Sequence, residues 1–280
     1  MSRVLLNRIR RILPLVLLTL ITISFSSTEE LRVMSWNLMD MDLFDGEGFH
    51  RVPWQADAER VIADTLKRVN PEVILIVEAP SFTELEGFVE RNNLNYHVVH
   101  VRQQSGRRSY ADSMALLSRV RVDAVSLETP PVPGSIRTPD TAYMDWSYRG
   151  LLVAEYGELT IIGVHLKSPW DGKQRSYDIR DAQARGLLDY IRGIDGPLLV
   201  LGDFNDSPGR DEKERAYGLR DTLGLIDEIL ERSDGDEVTQ KKGFNPDHIF
   251  IRGGHAGMRE TEETDWIISD HRPVWTDVEY

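Results

Sequence analysis

The spacing of apolar positions changes several times along this chain, and each change marks an element. Residues 31–36 alternate apolar and polar and read as a strand ending at Asn37. Trp54, Ala58, Val61, Ile62, Leu66 and Val69 fall near helical spacing over 54–69, and Asn70 and Pro71 stop that helix. The stretch 72–77, apolar throughout after Glu72, reads as a strand buried on both faces, ending at Glu78. A helix is predicted at 82–92, then strands at 96–101, 114–119 and 120–127. Pro130, Pro131, Pro133 and Pro139 mark 128–148 as a long surface loop. Residues 150–156 and 159–166 flank Gly157 and Glu158 as a hairpin, and 178–192 is a helix with Ala184, Leu187, Leu188 and Ile191 on one face. A strand is expected over 197–202, charged loop and helix over 209–242, and closing strands at 247–252 and 273–280. Strands outnumber helices, several are apolar on both faces, and no linker divides them. The pattern predicts one domain over 31–280, built as two packed sheets with helices outside.

The first 27 residues are of another kind. Arg3, Arg8, Arg10 and Arg11 precede an apolar stretch over 12–25, followed by Ser26, Ser27 and Thr28. Basic, apolar and small residues in that order make an export signal over 1–27, and the apolar stretch is shorter than the about 20 residues of a spanning helix. Exported, secreted or periplasmic, is therefore the expected location. An uncleaved membrane anchor and a buried N-terminal helix are the alternatives.

Composition narrows the chemistry. With 41% hydrophobic and 28% charged residues the chain can build a full core. Its net charge of -13 opposes loose electrostatic binding to DNA or an anionic membrane, but leaves room for a local basic groove. With no cysteine there are no disulfides, no thiol catalysis and no Cys-ligated zinc, so any metal must take O and N ligands. Such ligands suit Mg²⁺, with Mn²⁺ and Ca²⁺ as alternatives. No stable protein partner is implied, a membrane would be met only through the N-terminal segment, and the chain is expected to be a monomer.

Polar residues gather where strands end. Asn37, Glu78, His165, Asp203 and Asn205 each follow or close an apolar run, Asp247 opens one, and Asp270 and His271 precede the last. If those ends converge, a single pocket holds four carboxylates, two amides and two imidazoles, in the place where ligand sites tend to form. Asn, Asp, Ser and Pro in 203–208 would also suit a turn.

The stretches SWN (35–37), VEAP (77–80), GVHLKSP (163–169), LGDFNDSP (201–208), DHIF (247–250) and SDHRPV (269–274), in this order, resemble the endonuclease/exonuclease/phosphatase superfamily, which includes deoxyribonuclease-I-like enzymes. The resemblance runs over about 31–280 and implies an α/β fold, a four-layer α/β/β/α sandwich of two packed, mostly antiparallel sheets with outer helices. It implies a metal-dependent phosphodiester hydrolase, with Glu78 as the main metal ligand and Asn37 and Asp270 completing or orienting that shell. His271 would meet the scissile phosphate or activate water, with Asp247 fixing its tautomer; Asp203 would be the base, Asn205 would hold a phosphate oxygen, and His165 would serve the leaving group. Two positions depart from the family pattern: Met39, where some members carry an acid, and Val77, where many carry Gln.

On the substrate side, Arg149, Arg107, Arg108 and Tyr110 stand where members often contact phosphate, and Lys167 and Ser168 follow His165. Arg180 and Arg185 with Gln183 match the R…QA pattern of nuclease-type members, which favours nucleic acid as substrate. The alternative is a phosphatase, or a phospholipase C or sphingomyelinase-type hydrolase, acting on a small or lipid phosphoester; a binding module without catalysis is a third. No long apolar hairpin for entering a membrane stands out in the sequence.

Overall fold

The apolar runs that signal strands assemble into two sheets. The computed structural model describes residues 29–38, 56–101, 114–131, 150–168, 173–207, 222–235, 238–241, 243–262 and 269–280. The N-terminal segment, Met39, and the expected substrate contacts Arg107, Arg108, Tyr110 and Arg149 lie outside these residues. Among the described residues the strands are β1 (Glu30–Asn37), β2 (Val73–Val77), β3 (His97–Val101), β4 (Met114–Ser118), β5 (Ala124–Glu128), β6 (Leu151–Tyr156), β7 (Leu159–His165), β8 (Leu198–Asp203), β9 (Glu231–Arg232), β10 (Asp247–Arg252), β11 (His255–Ala256), β12 (Glu260–Thr261) and β13 (Val274–Glu279). The helices are α1 (Ala56–Val69), α2 (Phe82–Arg91), α3 (Lys173–Ile191) and α4 (Thr222–Asp227).

The first sheet runs β11-β13-β1-β2-β4-β3, with β12 also paired to β13, and the second runs β5-β6-β7-β8-β10-β9. Each is antiparallel except for one central parallel pair, β1 with β2 and β7 with β8. Alternation of side chains across each strand divides the apolar residues into three layers. Val73, Leu75 and Val77 of β2 face Leu199 and Leu201 of β8 between the sheets. Ile74 and Ile76 turn outward to Ile62 and Leu66 of α1 and Phe88 of α2. On the other outer face Leu198 and Val200 meet Leu187 and Ile191 of α3 and Ile226 of α4. The expected α/β/β/α sandwich is what forms.

Local signals explain several boundaries. Asn70 adopts φ 58° after α1, the left-handed geometry that ends helices, and Pro71 prevents continuation. Glu84 accepts the backbone N–H of Ser81 at 2.8 Å, half of a capping box at the start of α2. Two boundaries differ from the sequence reading by more than two residues. The strand expected over 120–127 starts at Ala124, because the preceding residues cross from β4 in one sheet to β5 in the other. Helix α3 begins at Lys173, five residues early, since its first turn is polar and shows no apolar period. Among the described residues no helix is long and apolar enough to cross a membrane.

Candidate functional site

The parity that builds the inter-sheet core also builds the site. In β1, Leu31 and Val33 point between the sheets, so Asn37 does as well. The same count carries from Leu159 and Ile161 to His165, from Leu199 and Leu201 to Asp203, and from Ile251 and Ile249 back to Asp247. Strand register then aligns them: His165 lies opposite Asp203 across the β7–β8 pair, and Asp247 opposite Asp203 across β10–β8. Four polar residues thus continue apolar rows where the two sheets open at one end.

Two backbone devices make this possible. Gly202 has φ 143°, and a Cβ there would sit 2.0 Å from the Val164 carbonyl oxygen, so only glycine lets β8 lie this close to β7 beside Asp203. Glu78 and Asn205 hold φ 54° and 52°; asparagine adopts this region readily, whereas glutamate does so at a cost. Left-handed non-glycine residues of this kind cluster at functional sites.

The side chains converge. Asn37 Nδ2 donates to Glu78 Oε1 at 3.2 Å and to Asp203 Oδ2 at 2.9 Å. His165 Nε2 lies 3.5 Å from Glu78 Oε1 and 3.7 Å from Asp203 Oδ2. Asp203 also accepts the Asn205 backbone N–H at 2.8 Å. On the far side, His271 Nδ1 bonds Asp247 Oδ2 at 2.8 Å, while its Nε2 lies 3.9 Å from Asp203 Oδ2 and 3.7 Å from Asp270 Oδ1. All eight polar residues at strand ends therefore border one pocket. Asn205 turns inward as well, with its Nδ2 donating to the Leu166 carbonyl at 3.0 Å and tying the two strand-end loops together.

Burial and charge set the protonation states. Burial pushes the Asp203 carboxyl up to about 6, against the opposing pull of His271. Burial lowers the His271 imidazole, but the charge and hydrogen bond of Asp247, with Asp203 and Asp270, outweigh it and hold the group at about 10. His248 is pushed well below its ordinary value by burial and then by Arg259 and Arg232, so it is neutral, and its Nε2 lies 3.1 Å from the Asp206 carbonyl.

The donor set fits a divalent cation. Asp203 and Asp247 bring acidic oxygens close together, with Glu78 reached through Asn37 on one side and Asp270 beside His271 on the other, and the buried Asp247 Oδ1 has no hydrogen-bond partner among the described residues. Asp203, Asp247 and His271 offer ligand atoms within 4.8 Å of one another. In that trio His271 Nδ1 already faces Asp247, so the hard oxygens are the better donors for a cation such as Mg²⁺.

Sequence reasoning missed the supports around His271. Thr239 Oγ1 donates to Asp247 Oδ2 at 2.8 Å, and Gln240 Nε2 lies 3.2 Å from His271 Nε2. Ser269 Oγ donates to the Asn37 carbonyl at 2.7 Å and accepts the His271 N–H at 3.0 Å. Buried Arg259 donates to the Asp247 and Gly235 carbonyls and, at 2.9 Å, to Asn245 Oδ1. The residues that matched the R…QA pattern are engaged within the fold. Arg180 is fully buried, stacks 4.6 Å from the Tyr177 ring centre and donates to the Lys167 carbonyl at 2.8 Å. Gln183 accepts the Lys167 N–H at 2.9 Å, and Arg185 pairs with Asp181 at 3.1 Å. Arg180 and Gln183 shape the loop after His165, and the Lys167 backbone is fixed between them.

Known proteins share this architecture. An endonuclease/exonuclease/phosphatase family protein from Bacteroides thetaiotaomicron is similar over 91% of this chain and 99% of its own, with 15% identity and a TM-score of 0.63. Sphingomyelinase C from Streptomyces griseocarneus matches over 89% and 99% with 16% identity and a TM-score of 0.61. A Neisseria 3′ phosphatase bound to a product DNA hairpin matches over 88% and 98% with 17% identity and a TM-score of 0.58. At these identities the likeness is one of fold. Comparison of the sequence with curated proteins finds no match. The sequence profile described as "Endonuclease/Exonuclease/phosphatase family" matches residues 35–271, most of the chain and all eight polar residues of the pocket, and the protein is a member of that family of hydrolases.

Proposed function

We propose that this protein is an exported, divalent-metal-dependent phosphodiesterase whose substrate is nucleic acid. The observation that carries this reading is the convergence of Glu78, Asn37, His165, Asp203 and the His271–Asp247 pair on one pocket. A phosphodiester resists hydrolysis because its negative charge repels hydroxide and its leaving alkoxide is poor. Glu78, with Asn37 and Asp270, would hold the cation, which supplies positive charge to neutralise the phosphate.

The chain's own residues divide the remaining work. Asp203, with its carboxyl raised towards neutrality by burial, is matched to accept a proton from the attacking water. His271, held charged by Asp247, presents Nε2–H to a phosphoryl oxygen. His165, buried beside Glu78 and Asp203, donates towards the leaving oxygen. Asn205 keeps one amide hydrogen on Leu166 and offers the other to phosphate. Lys167, Arg149, Arg108 and Tyr110 would form the rim that contacts further phosphates.

The similar Neisseria phosphatase, held with product DNA, supports nucleic acid. One observation favours a second reading, a lipid or small phosphoester: Arg180 and Gln183 are occupied within the fold, so the nuclease-like pattern they formed in the sequence offers no basic surface. The test is hydrolysis of plasmid DNA, bis(p-nitrophenyl) phosphate and sphingomyelin, each with Mg²⁺ and with EDTA. Nicked plasmid only with Mg²⁺ is expected. Intact plasmid with lipid turnover would replace nucleic acid by lipid, and inert substrates throughout would remove the phosphodiesterase assignment. Export rests on the order of residues in 1–27, and the mass of the secreted form checks it.

A further inference from the structure

The segment from Thr239 to Phe244 reaches both ends of the His271–Asp247 pair. Thr239 N–H and Gln240 N–H both donate to the Phe244 carbonyl, at 3.1 and 3.0 Å, and Gly243 closes the turn with φ 82° and an N–H to the Gln240 carbonyl at 2.9 Å. The turn is then fastened to the loop that carries His271. Arg272 N–H donates to the Thr239 carbonyl at 2.7 Å, and Lys241 N–H to the Asp270 carbonyl at 2.8 Å. With its backbone fixed on both sides, Gln240 has little choice of where to project. Its Nε2 lies 3.2 Å from His271 Nε2, nearer than Asp270 or Asp203.

That contact has a chemical consequence. Asp247 occupies Nδ1, so Nε2 is the face of the imidazole available to substrate. Gln240 stands on that face, and against a charged imidazole, whose Nε2–H donates, the carboxamide presents its oxygen as acceptor, the amide O and N being interchangeable by a half-turn. A phosphoryl oxygen approaching Nε2 must displace the carboxamide or bond to it, and a carboxamide carries both a donor and an acceptor for the purpose. The side chain is half-buried at the pocket edge, so it can leave Nε2 without disturbing packed core.

We infer that Gln240 is a substrate-contacting residue, whose amide exchanges its contact with His271 Nε2 for a hydrogen bond to a non-bridging oxygen of the bound phosphoester. The inference rests on the phosphoesterase reading and adds to it a third polar contact for the non-bridging oxygens, beside His271 and Asn205. No bond is made or broken by Gln240, and its contribution appears in binding.

Two variants and two readouts test it. Gln240→Glu keeps the shape but places a negative charge against the phosphate; Gln240→Ala removes the amide. In Mg²⁺, with bis(p-nitrophenyl) phosphate, Gln240→Ala is expected to raise KM about tenfold, the usual effect of losing one hydrogen bond to a charged group. Gln240→Glu is expected to raise it further, with kcat changed much less than KM in both. Binding of inorganic phosphate by calorimetry should weaken in the same order, and circular dichroism should show both variants folded. An unchanged KM and unchanged phosphate affinity in folded Gln240→Glu overturns the inference, as does an equal fall in kcat with KM untouched. If wild type hydrolyses no diester, the parent reading fails, and phosphate affinity still decides the contact: wild type that binds no phosphate, or binds it no better than Gln240→Glu, overturns it too.

Discussion

Replacing Asp247 by asparagine removes one charge from the centre of the site and almost no volume. In the native protein the carboxylate lies 2.8 Å from His271 Nδ1. At an effective dielectric constant of about 20, that separation is worth roughly 6 kcal/mol of attraction. Burial opposes it, and the balance leaves the imidazole at about 10 against an ordinary 6.5, a difference on the order of 5 kcal/mol. In Asp247→Asn the amide oxygen still accepts from Nδ1–H, but the charge is gone. Asp203 and Asp270, at 3.9 and 3.7 Å, remain to oppose burial alone. The imidazole is expected to fall to 6.5 or below. The sign for stability follows from linkage. A histidine raised in the folded state stabilises fully below its unfolded value near 6.5, and that contribution is lost as pH rises through about 10. Asp247→Asn should therefore destabilise by roughly 3–5 kcal/mol at pH 6, the range for a broken buried pair, and the gap from wild type should close by pH 10. The assay is ¹⁵N NMR of labelled histidine imidazoles from pH 5 to 10 in EDTA, beside urea unfolding at three pH values. A wild-type His271 that titrates near 6.5, or a stability gap independent of pH, would refute the reasoning.

Glu78→Gln should leave the fold intact and raise the Mg²⁺ concentration for half-maximal activity by roughly tenfold or more, read from a metal titration. Asp203→Asn should lower kcat by roughly 10²–10⁴-fold. It should also raise the melting temperature at pH 8, by roughly 2–4 °C for each kcal/mol gained. The reason is that burial makes the folded state hold the Asp203 proton more tightly than the unfolded chain, so wild-type stability falls between about pH 4 and 6 and the variant loses that fall. Gly202→Ala should cost roughly 3 kcal/mol or more in chemical unfolding, because its Cβ would meet the Val164 carbonyl at 2.0 Å in a left-handed backbone.

What the sequence revealed follows from which residues sit on a regular period. Asn37, His165, Asp203 and Asp247 extend alternating rows of core residues, so their shared direction is implied once the strands are recognised. Glu78 and Asn205 were legible only as polar residues past a strand end, since their left-handed backbone leaves no trace in hydropathy. Thr239 and Gln240 lie in a short turn with no apolar period, and their partners are set by the long-range docking of that turn on His271. Ser269 joins Asn37 to His271 across most of the chain, a pairing that only the β1–β13 register brings about. Arg180 was legible only as part of a short pattern: nothing in its polar helix turn signals that the Tyr177 ring and the Lys167 carbonyl take it inside.

The proposed hydrolysis requires a cation bound at Glu78, between the two sheets. An anomalous difference map from crystals grown in Mn²⁺ tests this most directly. The predicted result is a peak bonded to the Glu78 carboxylate that disappears in Glu78→Gln. A peak elsewhere on the molecule, with none at Glu78, would contradict it.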